Sequence, residues 1–271
     1  MHSKRILTAA VLVPLAASII FWGGALAFAI TVLMVTGLCL YEFYCINFPS
    51  SGKLVMAGVA AGLLPVASVM LARDAAMLPF AVYLVLVVSV LLTLATYSRQ
   101  ENPFLFMTRF MFGALYIGVC ASFILLIRYM PIGREWIFFL LTVIFLGDAG
   151  AYYTGKAMGR RKLCKAVSGG KTVEGALGGV MLNAAGAAVL WLILFRHDAS
   201  PFMLIPAAMA VGITGQIGDL AESVVKRACG VKDSGCLLPG HGGFLDRVDA
   251  LLLAAPFFHF LLSMNVFKPG P

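Results

Sequence analysis

Residues 77–97 read MLPFAVYLVLVVSVLLTLATY, a run without a single charged side chain. An α-helix rises about 1.5 Å per residue and needs about 20 apolar residues to cross the hydrocarbon core of a bilayer. The run therefore predicts a membrane-spanning helix. Polar residues bound it on both sides, with Arg73 and Asp74 before it and residues 98–103 after it.

Similar apolar runs recur along the whole chain. They predict nine spans, at about residues 6–22, 25–46, 54–72, 77–97, 104–128, 136–158, 176–195, 202–226 and 244–263. Of the 271 residues, 61% are hydrophobic and 12% are charged, whereas a soluble domain carries about 25% charged residues. The predicted fold is an all-α, polytopic transmembrane helical bundle without a β-sheet domain. We expect residues 1–271 to form one integral membrane domain, with mostly apolar spans over 1–130 and the catalytic part over 131–271.

The basic residues predict how the chain is oriented. If the loop 159–174 is cytoplasmic, 15 of the 20 Lys and Arg residues fall on that side, together with the N-terminus. Lys and Arg accumulate in cytoplasmic loops of membrane proteins. The formal charge of +8 therefore does not require nucleic acid as a partner. The six cysteines show no CxxC spacing, so we expect them to be reduced and unpaired.

The acidic residues are concentrated late in the chain. Seven of the 12 lie in or beside the sixth, eighth and ninth predicted spans: Asp148, Glu174, Asp219, Glu222, Asp233, Asp246 and Asp249. An ionisable group within a membrane costs a few kcal/mol on insertion scales, so such residues are candidates for function. We expect Asp148 to face the polar site, whereas Glu42, near the end of the second span, is a weaker candidate.

Helical spacing brings several polar side chains onto common faces. Asp219, Glu222, Ser223 and Lys226 follow an i, i+3, i+4, i+7 pattern, and Asp246 and Asp249 are i, i+3 at the start of the last span. Carboxylates from two helices at one membrane boundary predict a Mg²⁺ site, because Mg²⁺ takes oxygen ligands and shares them with substrate phosphates. Asp219 and Asp246 are the first candidates, and Glu222 and Asp249 are further ones. The last two have an alternative role as intrahelical partners of Lys226 and Arg247.

The loop between these two helices favours phosphate binding. Gly242 and Gly243 directly precede a helix, whose N-terminus attracts anions. The cationic or hydrogen-bonding residues around the loop are Lys226, Arg227, Lys232 and His241. The alternatives are a positive membrane anchor for Lys226 and Arg227, and a capping role for His241.

A second polar segment, SGGKTVEG at residues 168–175, precedes the seventh span. Lys171, Thr172 and Glu174 could contact phosphates on the same cytoplasmic side. The segment is not a P-loop, because the GxxxxGK[ST] spacing is missing. In the sixth span, Gly147, Ala151, Gly155 and Gly159 form a ridge of small residues that predicts close helix packing.

These residues resemble a known signature. The pattern Ser223-x2-Lys226-Arg227-x4-Lys232-Asp233-x-Gly235-x2-Leu238-Pro239-x-His241-Gly242-Gly243-x2-Asp246-Arg247-x-Asp249 resembles that of phosphatidate cytidylyltransferases. The segments GDAGAYYTGKAMG (147–159), SGGKTVEG and GQIGDLAES (215–223) are similar to the family in the same order. The first 130 residues resemble it only in hydropathy. The family commonly has Pro at position 169, an aromatic residue at 173 and another at 234, where this chain has Gly, Val and Ser.

The resemblance implies a nucleotidyltransferase of phospholipid biosynthesis that converts CTP and phosphatidate into CDP-diacylglycerol and pyrophosphate. It implies Mg²⁺, with K⁺ as a candidate second cation, membrane lipids as surroundings and a homodimer as a candidate assembly. We expect a bacterial cytoplasmic (inner) membrane protein whose site faces the cytoplasm. The candidate catalytic residues are Asp219, Asp246, Lys226, Arg227, Lys232, Asp233 and His241. The candidate substrate-binding residues are Ser223, Lys171, Thr172, Glu174, Gly242, Gly243, Arg247 and Asp148.

Two other functions stay open at this point. A CTP-dependent polyprenol or lipid kinase uses similar groups but releases CDP. A transporter for an anionic solute would have its site at the membrane midplane between inverted repeats, and the sequence shows no repeat. A CDP-alcohol phosphotransferase is excluded, because its DGxxAR…GxxxDxxxD pattern is missing.

The first prediction concerns the two leading carboxylates. Asp219→Ala or Asp246→Ala should abolish turnover, since each removes an anionic metal ligand, while the variant still accumulates in the membrane. Product formation from labelled CTP, together with a membrane-fraction immunoblot, measures both quantities. Full activity in either variant would contradict its assignment as a metal ligand.

Overall fold

The computed structural model describes residues 14–235, 242–264 and 266–267. Residues 14–21 are helical, and Gly23 and Gly24 separate them from the next helix. The helices that follow are α1 (Ala25–Asn47), α2 (Gly52–Ala72), α3 (Leu78–Thr96), α4 (Pro103–Tyr129), α5 (Gly133–Met158), α6 (Val173–Phe195), α7 (Pro201–Ala228) and α8 (Leu245–Ser263). A 3₁₀ turn, Tyr97–Arg99, extends α3. Helix α4 contains a π-helical segment, Ala114–Val119, and another, Trp191–Phe195, ends α6.

The prediction of an all-α membrane protein is confirmed. Within the described residues, the seven helices α1–α7, with α3 extended to Arg99, are long and apolar enough to cross a membrane. The prediction of nine spans is approximate. Residues 6–13 of the first predicted span lie outside the described residues, and α8 carries Asp246, Arg247 and Asp249 near its start. The predicted orientation of the chain stays a prediction.

Capping residues explain why the helices begin where they do. The side chain of Ser51 accepts a hydrogen bond from the N–H of Leu54 (3.4 Å), and Asn102 accepts one from Leu105 (2.9 Å). Such caps satisfy N–H groups that have no partner within the helix. Pro103 occupies the first turn of α4, where its missing N–H costs nothing. The polar breaks in the sequence therefore end one span and start the next.

The loop 159–174 contains more structure than the sequence predicts. Strand β1 (Lys162–Cys164) pairs antiparallel with β2 (Ser168–Thr172), with Lys162 opposite Thr172. No sheet domain was expected, and this two-stranded ribbon is only a hairpin. Its strands lack the alternation of apolar and polar residues that predicts a half-buried strand, so no sequence pattern predicted the hairpin.

The described contacts divide the chain into two compact units. The first comprises residues 1–131 and 229–247, and the second comprises 132–228 and 248–271. The glycine-rich loop between α7 and α8 (residues 230–244) therefore belongs to the first unit, together with α1–α4. The predicted single domain over 1–271, with its catalytic part over 131–271, stays a prediction.

In the first unit, glycines allow helix backbones to approach closely. A Cβ on Gly58 would lie 2.6 Å from the ring of Tyr44, and one on Gly118 would lie 2.0 Å from the carbonyl oxygen of Gly62. The buried Tyr44 hydroxyl donates to the carbonyl of Phe110 (2.7 Å). These contacts fix the positions of α1, α2 and α4 relative to one another.

In the second unit, the predicted ridge of small residues packs α5 against α6. A Cβ on Gly147 would lie 2.9 Å from Asn183 Oδ1, and one on Gly175 of α6 would lie 2.7 Å from the carbonyl oxygen of Ala151. The prediction of close helix packing at this ridge is confirmed. Near the start of α5, Trp136 stacks on Phe195 with ring centroids 4.4 Å apart.

The cysteines are free, as the sequence predicts, throughout the part of the chain that the structure describes. Cys229 lies between α7 and the glycine-rich loop, and its thiol lies 3.5 Å from Asn47 Oδ1. Burial raises the pKa of the Cys229 thiol, although the charge of Arg109 acts in the opposite direction. The thiol is therefore protonated and poorly nucleophilic at neutral pH.

The second prediction tests the close approach of α2 and α4. Gly118→Ala should destabilise the protein by about 1–3 kcal/mol, because the added methyl group overlaps the Gly62 carbonyl and overpacking forces backbones apart. Thermal unfolding in detergent measures the effect. Gly37→Ala is the matched control, since its Cβ would make ordinary contacts of 3.8 and 3.9 Å with Leu63. Equal melting temperatures for the two variants would contradict the prediction.

Candidate active site

Three carboxylates meet in the second unit. Asp219 and Glu222 on α7 and Asp249 on α8 each have an oxygen within 4.8 Å of the others. Glu222 is 1% exposed and Asp249 is 8% exposed, whereas the Asp219 side chain is 34% exposed. The cluster therefore extends from the protein interior to an open surface at Asp219.

Two glycines explain why α7 and α8 approach closely enough to bring these acids together. A Cβ on Gly218 would lie 2.6 Å from the carbonyl oxygen of Asp249, and one on Gly215 would lie 3.5 Å from that of Ala250. Any larger residue at position 218 would push the helices apart. The neighbouring Asp219 and Glu222 are thereby held beside Asp249.

Two lysines lie against the cluster. Lys171 Nζ is 2.6 Å from Asp219 Oδ2, and Lys226 pairs with Glu222 one turn away on α7. Lys226 is only 9% exposed, so its charge needs a nearby anion. The alternative reading of Glu222 as an intrahelical partner of Lys226 is therefore correct, and Glu222 also belongs to the carboxylate cluster.

A cavity of about 460 Å³ opens beside Asp219 in the same unit. Its lining residues are Asp148, Ala151, Tyr152, Gly155, Lys156, Leu163, Gly170, Lys171, Thr172, Gly175, Ala176, Gln216 and Asp219. Four of the predicted site residues, Asp148, Lys171, Thr172 and Asp219, thus line one cavity. Lys156, Tyr152 and Leu163 are further lining residues that the sequence did not single out. The cavity combines cationic groups with an aromatic and an aliphatic wall, which suits a ligand that has both phosphates and an apolar or aromatic part.

The hairpin that carries Lys171 is held in place by backbone contacts. Glu174 accepts hydrogen bonds from the N–H groups of Arg160 (3.0 Å) and Arg161 (3.1 Å), and Thr172 Oγ1 accepts one from Gly175 (3.1 Å). The carboxylate of Glu174 fixes the chain between α5 and β1, and its role in substrate binding stays a prediction. Arg227 Nε donates to the carbonyl of Val167 in the hairpin turn (3.3 Å).

In the first unit, Asp246 organises the glycine-rich loop. Its Oδ2 accepts hydrogen bonds from the N–H groups of Ser234 (3.0 Å) and Gly243 (2.9 Å) and lies 3.0 Å from Ser234 Oγ. Gly242 adopts a φ of +79°, which favours glycine. The N–H of Gly243 donates to Asp246, and the role of Gly242 and Gly243 in phosphate binding stays a prediction.

Glu42, the weaker candidate, binds residues near both ends of the glycine-rich loop. It is 2% exposed in α1, and its carboxylate accepts hydrogen bonds from the N–H groups of Phe244 and Leu245, both at 3.0 Å. Ser234 Oγ lies 3.1 Å from Glu42 Oε2. The sequence feature that could have identified Glu42 is an acidic residue inside an apolar span, because such a residue is a candidate for function. Its partners lie some 200 residues away in sequence, so no local pattern revealed them.

The remaining predicted residues have different surroundings. Ser223 is buried on α7, whereas Lys232, Asp233 and Arg247 are exposed in the first unit. His241 lies outside the described residues. Asp219 belongs to the second unit and Asp246 to the first, and their joint ligation of a metal stays a prediction.

The donor set of the second unit fits a hard divalent cation. Mg²⁺ takes oxygen ligands from one or two carboxylates and completes its shell with water and phosphates. Asp219, Glu222 and Asp249 supply three such carboxylates close together. The amino group of Lys171, at 2.6 Å from Asp219, shows that this position attracts a cation.

Comparison with known proteins gives the family. The cytidylyltransferase family matches residues 3–265, and the chain belongs to it. The chain is 39% identical over 186 residues to a protein of Bacillus subtilis (strain 168) named phosphatidate cytidylyltransferase, covering 68% of this chain and 66% of that protein. A protein of the same name from Staphylococcus saprophyticus is 35% identical over 173 residues, covering 64% of this chain and 65% of that protein. The matched region thus spans just under two thirds of each relative. The resemblance noted from the signature is confirmed at the level of the family.

The third prediction concerns Glu174. Glu174→Gln should loosen the segment before β1, because a neutral amide accepts the Arg160 and Arg161 N–H bonds more weakly than a carboxylate does. Limited trypsin digestion should then cleave within residues 160–165 several-fold faster, as followed by mass spectrometry. Glu135→Gln, in the first turn of α5, is the matched control and should leave this cleavage unchanged. Identical digestion of both variants would contradict the structural role.

Proposed function

We propose that the chain transfers the cytidylyl group of CTP to phosphatidate, giving CDP-diacylglycerol and pyrophosphate for phospholipid biosynthesis. The observation that carries this proposal is a cavity lined by Lys156, Lys171 and Asp219 beside a carboxylate cluster, in a chain of the cytidylyltransferase family. The name of the relatives supplies the lipid substrate. The enzyme is accordingly a nucleotidyltransferase.

The chemistry needs positioning and charge neutralisation rather than a protein nucleophile. A phosphate oxygen of phosphatidate attacks the α-phosphorus of CTP, a new P–O bond forms, and the bond to the β-phosphate breaks to release pyrophosphate. Lys171 and Lys156 offer positive charge to the phosphates from the wall of the cavity. Asp148 and Gln216 in the same wall offer polar groups that can orient the nucleotide.

The metal belongs to the proposal as well. Asp219, Glu222 and Asp249 would hold Mg²⁺, and Asp246 remains a candidate ligand from the glycine-rich loop. When bound, the ion neutralises charge on the phosphates during transfer. Lys171 would be released from Asp219 and made available to a phosphate. K⁺ is proposed as a second cation.

The location of the reaction follows from the lipid. The chain is an integral membrane protein with several apolar helices, so the acyl chains of phosphatidate can stay in the bilayer while the head group meets CTP. We place the site on the cytoplasmic side of a bacterial inner membrane, because most basic residues fall on one side and CTP is a cytoplasmic nucleotide. A homodimer stays a prediction.

Incubation of purified protein in detergent with α-³²P-labelled CTP, phosphatidate and Mg²⁺ tests the proposal. We expect labelled CDP-diacylglycerol in the organic phase and unlabelled pyrophosphate in water. Labelled CDP with a phosphorylated lipid would identify a kinase instead. No reaction, combined with CTP-independent uptake of an anion into vesicles, would identify a transporter.

The fourth prediction concerns metal affinity. Asp249→Asn should weaken binding of Mg²⁺ at least about tenfold, because it removes one of few anionic ligands. Isothermal titration calorimetry of the detergent-solubilised protein measures this without turnover. Asp198→Asn, on the exposed turn after α6, is the control and should bind as the wild type does. Unchanged affinity in Asp249→Asn would remove Asp249 from the site.

A further inference from the structure

Glu42 is a buried carboxylate that the proposed chemistry does not use. It lies in α1, and only 2% of it is exposed. A buried carboxylate needs hydrogen-bond donors to remain charged. Its donors are the N–H groups of Phe244 and Leu245, at the N-terminus of α8, where the helix dipole also favours an anion. A residue from an N-terminal helix therefore caps the helix that begins within the signature.

Two glycines of the loop lie in close contact with the Glu42 carboxylate. A Cβ on Gly235 would lie 2.6 Å from Glu42 Oε1, and one on Gly243 would lie 2.3 Å from Glu42 Oε2. Real Cβ atoms do not approach oxygen so closely. A Cβ at either glycine would therefore displace the Glu42 carboxylate from the N–H groups that it binds.

Glu42 is linked to Asp246 through Ser234. The Ser234 hydroxyl oxygen lies 3.1 Å from Glu42 Oε2 and 3.0 Å from Asp246 Oδ2. Asp246 also accepts the N–H of Gly243, the residue before the two whose N–H groups bond to Glu42. The two carboxylates therefore hold consecutive backbone donors at the start of α8.

The helix that carries Glu42 is itself firmly held. Phe43 and Tyr44 are 1% and 0% exposed, and the Tyr44 hydroxyl donates to the Phe110 carbonyl (2.7 Å). A Cβ on Gly113 would lie 2.5 Å from the ring of Phe43. Helix α1 consequently offers Glu42 as a fixed point against which the loop can be located.

We propose that Glu42 is a positioning residue, which fixes the first turn of α8 and thereby holds Asp246 in the geometry that the reaction requires. This gives the N-terminal helices a part in the reaction. The kinetic part of the inference rests on the proposed function. The part that concerns the order of the loop does not depend on it.

Glu42→Gln tests the proposal with two independent readouts. Amide hydrogen exchange of peptides covering residues 242–249 should be at least tenfold faster than in the wild type, because the amide group presents a donor to two N–H groups. The kcat for CDP-diacylglycerol formation should fall about 10–100-fold, as is usual when a group that orients a ligand residue is lost. The KM for CTP should change less than about threefold, since Glu42 lies outside the cavity beside Asp219.

Two control variants separate positioning from stability. Tyr44→Phe removes a buried hydrogen bond in the same helix, so it should lower the melting temperature while kcat and loop exchange stay near the wild-type values. Glu101→Gln makes the same chemical change at an exposed position and should alter neither quantity. If Glu42→Gln does not accumulate, Ser234→Ala breaks the same link without removing a charge, and it should still raise loop exchange and lower kcat about tenfold.

Three outcomes would contradict one or other of the two proposals. Unchanged exchange over residues 242–249 in Glu42→Gln overturns the proposal, whatever reaction the chain catalyses. The proposal is also overturned if Glu42→Gln lowers kcat no more than Tyr44→Phe does for the same loss of melting temperature. Glu42 would then be a structural residue only. Absence of CDP-diacylglycerol with the wild type refutes the proposed function, and the exchange measurement then decides the role of Glu42 alone.

Discussion

A carboxylate buried in an apolar protein needs hydrogen-bond donors or cations that offset the cost of burying its charge. The groups that it binds determine the structure around it. Four acidic residues, of which Glu42 and Glu222 are buried and Asp219 and Asp246 are partly exposed, illustrate the point. Glu42 and Asp246 are compensated by backbone N–H groups at the start of α8, whereas Asp219 and Glu222 are compensated by Lys171 and Lys226. The first arrangement is rigid, since the donors belong to the backbone. The second can change, since a lysine side chain can exchange its anion for a phosphate. The same requirement is thus met by backbone donors at the start of α8 in the first unit and by lysine side chains in the second.

Glycine makes this compensation geometrically possible. In lipid, helices gain little from hydrophobic attraction to each other and depend on close packing of small residues. Gly218 lets α7 approach α8 at Asp249, and Gly243 lets the loop wrap around Glu42. The same residue type therefore serves helix packing in one unit and access to a carboxylate in the other. Substitutions at these positions alter the site without touching a charged group.

Much of this organisation could be predicted from the sequence. The lengths of the apolar runs predicted the helices, because the thickness of the bilayer sets the number of residues that a spanning helix needs. The observed breaks at residues 48–51 and 196–200 lie where polar residues interrupt the runs. Helical spacing correctly grouped Asp219 with Glu222 on α7. It could not reveal that Glu174 binds the backbone of Arg160 and Arg161, because side-chain to backbone bonds leave no periodic pattern. The contact between Glu42 and the loop also escaped prediction, since it joins segments 202 residues apart.

That long separation has a consequence for how the protein is made. The chain passes from the first unit to the second at residue 131, returns at 229 and leaves again at 247, so the first unit is complete only after residue 247 has been synthesised. At about 5–20 residues per second, the ribosome needs about 10–40 s to progress from Glu42 to Leu245. For that interval α1 carries a carboxylate whose permanent donors do not yet exist. The nascent helix therefore has to keep Glu42 hydrated near the membrane surface or paired with a temporary cation until α8 has been synthesised, so that the start of α8 gives α1 its permanent hydrogen-bond donors.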